Sequence, residues 1–205
     1  MPANQRRQFL GFLTALTSGL LLNGCTDSTD ATQNAVLPES GATPDSSVNT
    51  DPVPSVNLSD RGVAPDFDNT SWINSEPLKL ASLRGKPVLL EFWTFECINC
   101  RNVLPNLRAW YDEFADKGLA FVSMHTPEFE REKKLENVKQ AVQELQIKYP
   151  VAQDNDFQTW NKYHVRGWPS LFLIDRKGHI RYTTLGEGNY DQTKAAIQVL
   201  LAEQV

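Results

Sequence analysis

The run Val88-Leu89-Leu90-Glu91-Phe92-Trp93 is apolar at consecutive positions, with Val88 to Leu90 unbroken and Phe92 beyond Glu91. Side chains of a β-strand alternate between the two faces of a sheet, so such a run needs cover on both faces, as strands of parallel α/β sheets have. Four residues on comes Cys97-Ile98-Asn99-Cys100, followed by Leu104, Leu107, Trp110, Tyr111 and Phe114 at helical spacing. A doubly covered strand that turns directly into an amphipathic helix fixes a sheet and one of its covering layers at once. The cysteine pair sits at the turn between them.

The remaining pattern extends this unit. A short helical turn over 80–84 leads through Gly85 into a strand over 87–92. A helix is expected over 98–117, kinked at Pro105, with Gly118 as its C-cap. A strand over 119–124 and a long helix from Pro127 to about residue 147 complete a βαβ unit. Beyond it lie a short edge-like strand over 149–151, a helix over 157–164 and strands over 171–174 and 180–185. The last two flank Asp175-Arg176-Lys177-Gly178, a hairpin turn with Gly where a positive φ is needed. A final helix spans 191–203. The order predicts an α/β, thioredoxin-like fold: a central mixed β-sheet flanked by helices, with a helical insertion in the middle. No internal repeat is present, and residues 62–205 form one expected domain.

The N-terminus reads as an address. Arg6 and Arg7 precede an apolar stretch over 9–22, which has the charged and hydrophobic regions of a signal peptide and is short for a bilayer span. Gln5-Arg6-Arg7-Gln8-Phe9-Leu10 resembles a twin-arginine signal, with an ordinary secretory signal as the alternative. Leu22-Asn23-Gly24-Cys25 resembles a bacterial lipobox, so residues 1–24 are expected to be removed and Cys25 lipidated. Residues 25–61 then form an acidic, Ser/Thr/Pro-rich tether. The stretch 26–60 holds six carboxylates and no Lys or Arg, and it has too little apolar surface to offset the entropy of ordering. The tether and the two leader arginines account for most of the net charge of −5, leaving about −1 on the domain. A surface so nearly neutral excludes nucleic acid as an expected partner.

With Cys25 lipidated, one cysteine pair remains. Two cysteines separated by two residues at a helix start can close a small disulfide and reopen it. The thiolate is the attacking species in that chemistry, and free N–H groups with the positive end of the helix dipole favour it. Cys97 is therefore the expected nucleophile, and Cys100, one turn further in, the resolving thiol. A zinc site would need a second ligand pair, whereas His125, His164 and His179 are scattered singly. A structural disulfide ordinarily closes a longer loop. No metal or cofactor is expected.

Spaced motifs sharpen this reading. Leu83-Arg84-Gly85-Lys86-Pro87-Val88, Phe92-Trp93-Thr94-Phe95-Glu96-Cys97-Ile98-Asn99-Cys100-Arg101, His125-Thr126-Pro127-Glu128-Phe129, Gly167-Trp168-Pro169-Ser170 and Gly186-Glu187-Gly188 follow one another in that order. Together they resemble the TlpA-like thiol-disulfide oxidoreductases of the thioredoxin superfamily, in particular the exported thioredoxin-like domain at the C-terminus of DipZ proteins. The resemblance implies that Cys97 and Cys100 form the redox disulfide and that Pro169 is a cis-proline facing it. Trp168 before it then borders the substrate, which binds as an added strand. It also implies that Glu91 is the buried acid beneath the second cysteine, acting as general base with a raised pKa. Trp93 is expected to pack beneath the motif.

Glu96 stands where thioredoxins carry Trp. A carboxylate beside Cys97 disfavours the thiolate, which lowers the reduction potential and leans toward a reductant. His125 is expected as a capping or hydrogen-bonding group. The leading expectation is an extracytoplasmic, membrane-tethered monomer that reduces protein disulfides and is recharged by a membrane electron donor of the DsbD or CcdA type. Two other classes remain. A copper carrier would use both thiolates with His125 as a third ligand. A peroxiredoxin-type peroxidase would use the Thr94-to-Cys97 spacing, although Leu90 stands where that motif wants Pro.

Overall fold

A computed structural model describes residues 56–203. The expected signal peptide, Cys25 and the expected tether up to residue 55 lie outside the described residues. Among the described residues no helix is long and apolar enough to cross a membrane.

The centre is a six-stranded mixed sheet ordered β1 (Trp72–Ile73), β4 (Val151–Gln153), β3 (Ala120–His125), β2 (Val88–Trp93), β5 (Ser170–Ile174) and β6 (Ile180–Leu185). Strand β2 runs parallel to β3 on one side and antiparallel to β5 on the other, and all six of its residues are buried. The alternation within β2 sorts the two cores. Leu89 and Trp93 face a cluster built with α1 (Ile98–Phe114) and α4 (Tyr190–Ala202), whereas Val88, Leu90 and Phe92 face Phe67, Tyr163 and Phe172. Burial of each large aliphatic side chain contributes about 2 kcal/mol. Leu107, fully buried in the first cluster, would cost about 2–5 kcal/mol on truncation to Ala.

Local chemistry explains most of the boundaries. Helix α1 runs through Pro105 and stops at Phe114, before the expected residue 117, because Lys117, Gly118 and Leu119 bond back to Phe114 and Ala115 in tight turns, with Gly118 at φ +99°. The hairpin between β5 and β6 has Gly178 at φ +84°, and a Cβ there would fall on the Arg84 guanidinium. No other residue fits that position without displacing Arg84.

Three expectations are corrected. The helix expected from Pro127 to residue 147 divides into a 3-10 turn (Glu130–Lys133) and α2 (Leu135–Glu144), with Lys134 extended between them. Its carboxylate Glu132 turns inward and binds backbone rather than continuing a solvated face. The strand expected at 149–151 is Val151–Gln153 and lies inside the sheet, because the two-residue β1 pairs outside it. That two-residue strand has too little pattern to be read from sequence. The helix expected over 157–164 shortens to α3 (Gln158–Lys162).

The described fold also includes residues upstream of Gly62. Val56 and Leu58 pack on the core, Arg61 donates to Ile180 O at 2.9 Å, and Asp60 meets His179 at 2.9 Å.

Candidate active site

Strand β2 ends at Trp93, and four residues, Thr94 to Cys97, carry the chain into α1. Cys97 is the N-cap of α1: its Sγ accepts from the Cys100 backbone N–H at 3.2 Å. This is the position at which a helix presents unpaired N–H groups, and a sulfur there receives them. Both thiols are free. Cys97 is partly exposed, whereas Cys100 is only 2% exposed. Burial, reinforced by its hydrogen bond with Cys97, pushes the Cys100 thiol far up; a backbone hydrogen bond from Thr94 opposes this. Between them Ile98 is 67% exposed, an apolar side chain standing free at the tip of the site.

The strand alternation that puts Leu89 and Trp93 on the α1 face puts Glu91 there too, beneath the first turns of that helix. Glu91 is 2% exposed. Its cross-strand partner in β3 is Ser123, whose hydroxyl donates to Glu91 Oε2 at 3.0 Å, and the Tyr149 hydroxyl approaches the same oxygen at 3.5 Å. Burial pushes the Glu91 carboxyl up to about 7, only partly offset by these two hydroxyls. Its charge is among the influences that raise Cys100, so acid and thiol sense each other.

The loop across from the cysteines carries the cis peptide Trp168–Pro169. Pro169 O accepts from Gly186 N at 2.8 Å, which gives the Gly186-Glu187-Gly188 motif a physical role. Gly186 at φ +79° turns the end of β6 back onto the proline loop. Ser170 Oγ donates to Gly167 O at 2.7 Å and closes the loop from its other side. Trp168 stacks obliquely on Trp160, with ring centroids 4.6 Å apart, and half-buries itself against the α1-side core.

Trp93 is buried beneath the turn, edge-on to His125 at 5.2 Å between centroids. His125 also stacks on Phe95 at 5.4 Å, and its Nε2 lies 3.3 Å from Thr94 Oγ1. Burial pushes the His125 imidazole down to about 4, so the ring is neutral at physiological pH. It serves the turn as a hydrogen-bonding group. Among the described residues no three His, Cys, Asp or Glu side chains gather as metal ligands, so the cysteines and His125 do not form the third-ligand arrangement of a copper carrier.

Glu96 differs from expectation. Its carboxylate meets the Arg131 guanidinium through two parallel hydrogen bonds, Nε to Oε1 and NH2 to Oε2. The charge beside Cys97 is therefore paired and not free to act alone, and it gives less support to a low potential than the sequence suggested. Arg131 lies 35 residues away in sequence, which is why Glu96 read alone suggested an unopposed charge.

The next residue, Glu132, went unrecognised in the sequence. It is fully buried and accepts from Thr94 Oγ1, Glu96 N, Glu128 N and Phe129 N. The signal that could have found it is its position three residues after Phe129, the capping spacing for a 3-10 turn that follows the His125 motif.

The sequence matches the AhpC/TSA family over residues 61–183. Protein DipZ of Mycobacterium bovis is 43% identical over 144 residues, covering 68% of this chain and 21% of that protein. The chain thus spans about a fifth of the length of the DipZ protein it matches. Thiol-disulfide oxidoreductase ResA of Bacillus cereus is 30% identical over 135 residues, covering 66% of this chain and 75% of ResA. Among solved structures, a thiol-disulfide isomerase from Corynebacterium glutamicum superposes with a TM-score of 0.62 at 30% identity, covering 69% of this chain and 98% of that one. Fold, cysteine turn and relatives agree: the chain belongs to the AhpC/TSA family, among its thioredoxin-like thiol-disulfide oxidoreductase members.

Proposed function

We propose that this protein is an extracytoplasmic reductase of protein disulfides, working through a Cys97–Cys100 dithiol/disulfide cycle. The observation that carries the reading is the arrangement of a partly exposed Cys97 at a helix N-cap, a buried Cys100 one turn behind it, and a buried carboxylic acid poised near pH 7 that senses Cys100.

The Cys97 thiolate attacks one sulfur of a substrate disulfide; that S–S bond breaks, the departing thiolate takes up a proton, and a mixed disulfide remains on Cys97. Cys100 then gives its proton to the Glu91 carboxylate and attacks the Cys97 sulfur. The second substrate thiol leaves, the Cys97–Cys100 disulfide forms, and two electrons have passed to the substrate. Glu91 suits the acceptor role because its carboxyl titrates near neutrality and has no donor stronger than a hydroxyl. The cis-proline loop and the exposed Ile98 border the site where an extended substrate segment would lie, with Trp168 limiting its approach.

The reducing direction has a physical basis in the same arrangement. Burial and the hydrogen bond with Cys97 hold Cys100 away from its thiolate, so the dithiol gains little by ionising and the pair favours the disulfide. The signal peptide, the Cys25 lipobox and the acidic tether support a membrane-tethered position outside the cytoplasm, and the resemblance to DipZ supports recharging by a membrane donor of the DsbD or CcdA type.

The test is reduction of insulin by the dithiol form, followed by expression of Cys100→Ser in the native host to trap mixed disulfides on Cys97. Turnover and trapped exported proteins are expected. No insulin reduction together with no trapped partner would overturn the reading.

A further inference from the structure

The 3-10 turn Glu130–Lys133 touches the cysteine turn at two adjacent residues. Arg131 pairs with the Glu96 side chain, and Glu132 binds the polypeptide itself. One Glu132 oxygen accepts from Thr94 Oγ1 and from Glu96 N at 3.1 Å; the other accepts from Glu128 N at 2.7 Å and Phe129 N at 2.8 Å. Four donors, three of them backbone N–H groups, satisfy a carboxylate with no exposed surface, which is the condition under which a buried charge is tolerated. All four donors are neutral groups. The Thr94 hydroxyl gives its one proton to Glu132, so its oxygen accepts from His125 Nε2–H, and the buried neutral ring completes the chain.

The geometry points to Glu132 as the positioning residue of the active-site turn: its carboxylate pins Thr94 and the Glu96 peptide and holds a buried negative charge against the segment leading into Cys97, biasing the cysteine pair toward the disulfide. This rests on the oxidoreductase reading and deepens it. The Glu96 N–H precedes the N-cap Cys97 and would otherwise add to the positive end of α1. Glu132 takes up that donor and places a negative charge beyond it, which opposes a thiolate at the helix start. A pair whose thiolate is disfavoured is the better reductant. With the Glu96 charge offset by Arg131, the unpaired negative charge that Glu96 was expected to supply comes from Glu132, across the turn.

Two variants of the full-length protein separate this role from simple support of the loop, with equilibrium against glutathione as the readout. Glu132→Gln keeps the shape and removes the charge, and should move the equilibrium constant about tenfold toward the dithiol, which corresponds to about 30 mV for a two-electron couple. Thr94→Val removes one hydroxyl contact but leaves the carboxylate and its three backbone donors in place, and should leave the equilibrium constant near the wild-type value. A large shift in Glu132→Gln beside a small one in Thr94→Val supports the proposal, because a merely loosened turn shifts both variants alike. An unshifted Glu132→Gln, or equal shifts in the two, overturns it. Should Glu132→Gln fail to fold, Thr94→Val alone decides: a near-wild-type equilibrium supports the proposal, and a shift of about tenfold, which would mean that loosening the turn moves the couple, overturns it. Wild-type protein that exchanges with no glutathione at all would remove the oxidoreductase reading itself, a result distinct from an unshifted variant.

Discussion

Glu91 and Glu132 are carboxylates buried to nearly the same degree beside one cysteine turn, yet they keep different company. Glu91 projects from the middle of a strand, where every backbone N–H is committed to the sheet, so only the hydroxyls of Ser123 and Tyr149 reach it. Glu132 projects from a 3-10 turn and collects the two N–H groups that lead into it, of Glu128 and Phe129, together with the Glu96 N–H and the Thr94 hydroxyl of the cysteine turn. Poorly served, Glu91 is driven toward its neutral form and becomes able to exchange a proton near pH 7. Well served, Glu132 is a fixed acceptor that ties the two turns together. Burial alone predicts neither behaviour; the number and kind of donors does.

That contrast has meaning only if both carboxylates serve the same thiols, so the largest effect tests the thiols themselves. Cys97→Ser should abolish disulfide reduction, whereas Cys100→Ser should retain the first attack and accumulate mixed disulfides visible on non-reducing gels. A Cys97→Ser protein that still turns over insulin would break the premise.

The Glu91 half of the contrast comes next. Glu91→Gln should lower the turnover rate about 100-fold at neutral pH, as loss of a general base does. Wild-type turnover should rise as pH passes about 7, where Glu91 loses its proton, and the variant's rate should lack that step. Stability should respond with the opposite sense. The Glu91 carboxyl rises from 4.5 to about 7 on folding. Below 4.5 it is neutral folded and unfolded, so it costs nothing; between 4.5 and 7 the unfolded chain ionises first and the fold weakens; above 7 the deficit is complete, at roughly 3 kcal/mol. Glu91→Gln should therefore be more stable than wild type above pH 7 and lose this slope. Urea titrations at pH 4.5 and pH 8 measure the difference, and a parallel pH dependence in the two proteins would remove the account of Glu91.

A milder change sharpens the same point. Tyr149→Phe takes away the longer of the two hydroxyl contacts to Glu91, so the pH midpoint of turnover should move up by a fraction of a unit with little loss of maximal rate. A downward move would mean that Tyr149 does not stabilise the charged form. The smallest effect is expected at the surface. Arg131→Ala frees the Glu96 charge, and because the guanidinium is mostly solvent-exposed, Cys97 alkylation should slow only about two- to threefold at low salt and recover toward wild type at 1 M salt.

How legible these features were depends on how local their causes are. The β2 strand and its turn into α1 were readable because consecutive apolar residues and helical spacing are local patterns, and the Gly178 turn because a positive φ selects its residue. The break between the 3-10 turn and α2 was not, since Glu128 to Lys134 have the composition of an acidic helix start, and the stretch departs from one only because Glu132 finds better partners across the turn. Glu96 illustrates the same limit from the other direction: its identity was plain, but its electrostatic effect depends on Arg131, brought to it by the fold. Position β1 was invisible for a simpler reason, two residues being too few to show a period.

The sequence by itself determined the doubly covered strand, the cysteine pair at its end and the acid six residues before it, because each is written in neighbouring residues. Only the tertiary structure decided which charges stand alone around that pair. It paired Glu96 with Arg131, left Glu91 with two hydroxyls and gave Glu132 four donors, because hydrogen bonds and ion pairs form between groups that meet in space, and these come from β2, β3 and the insertion that follows it.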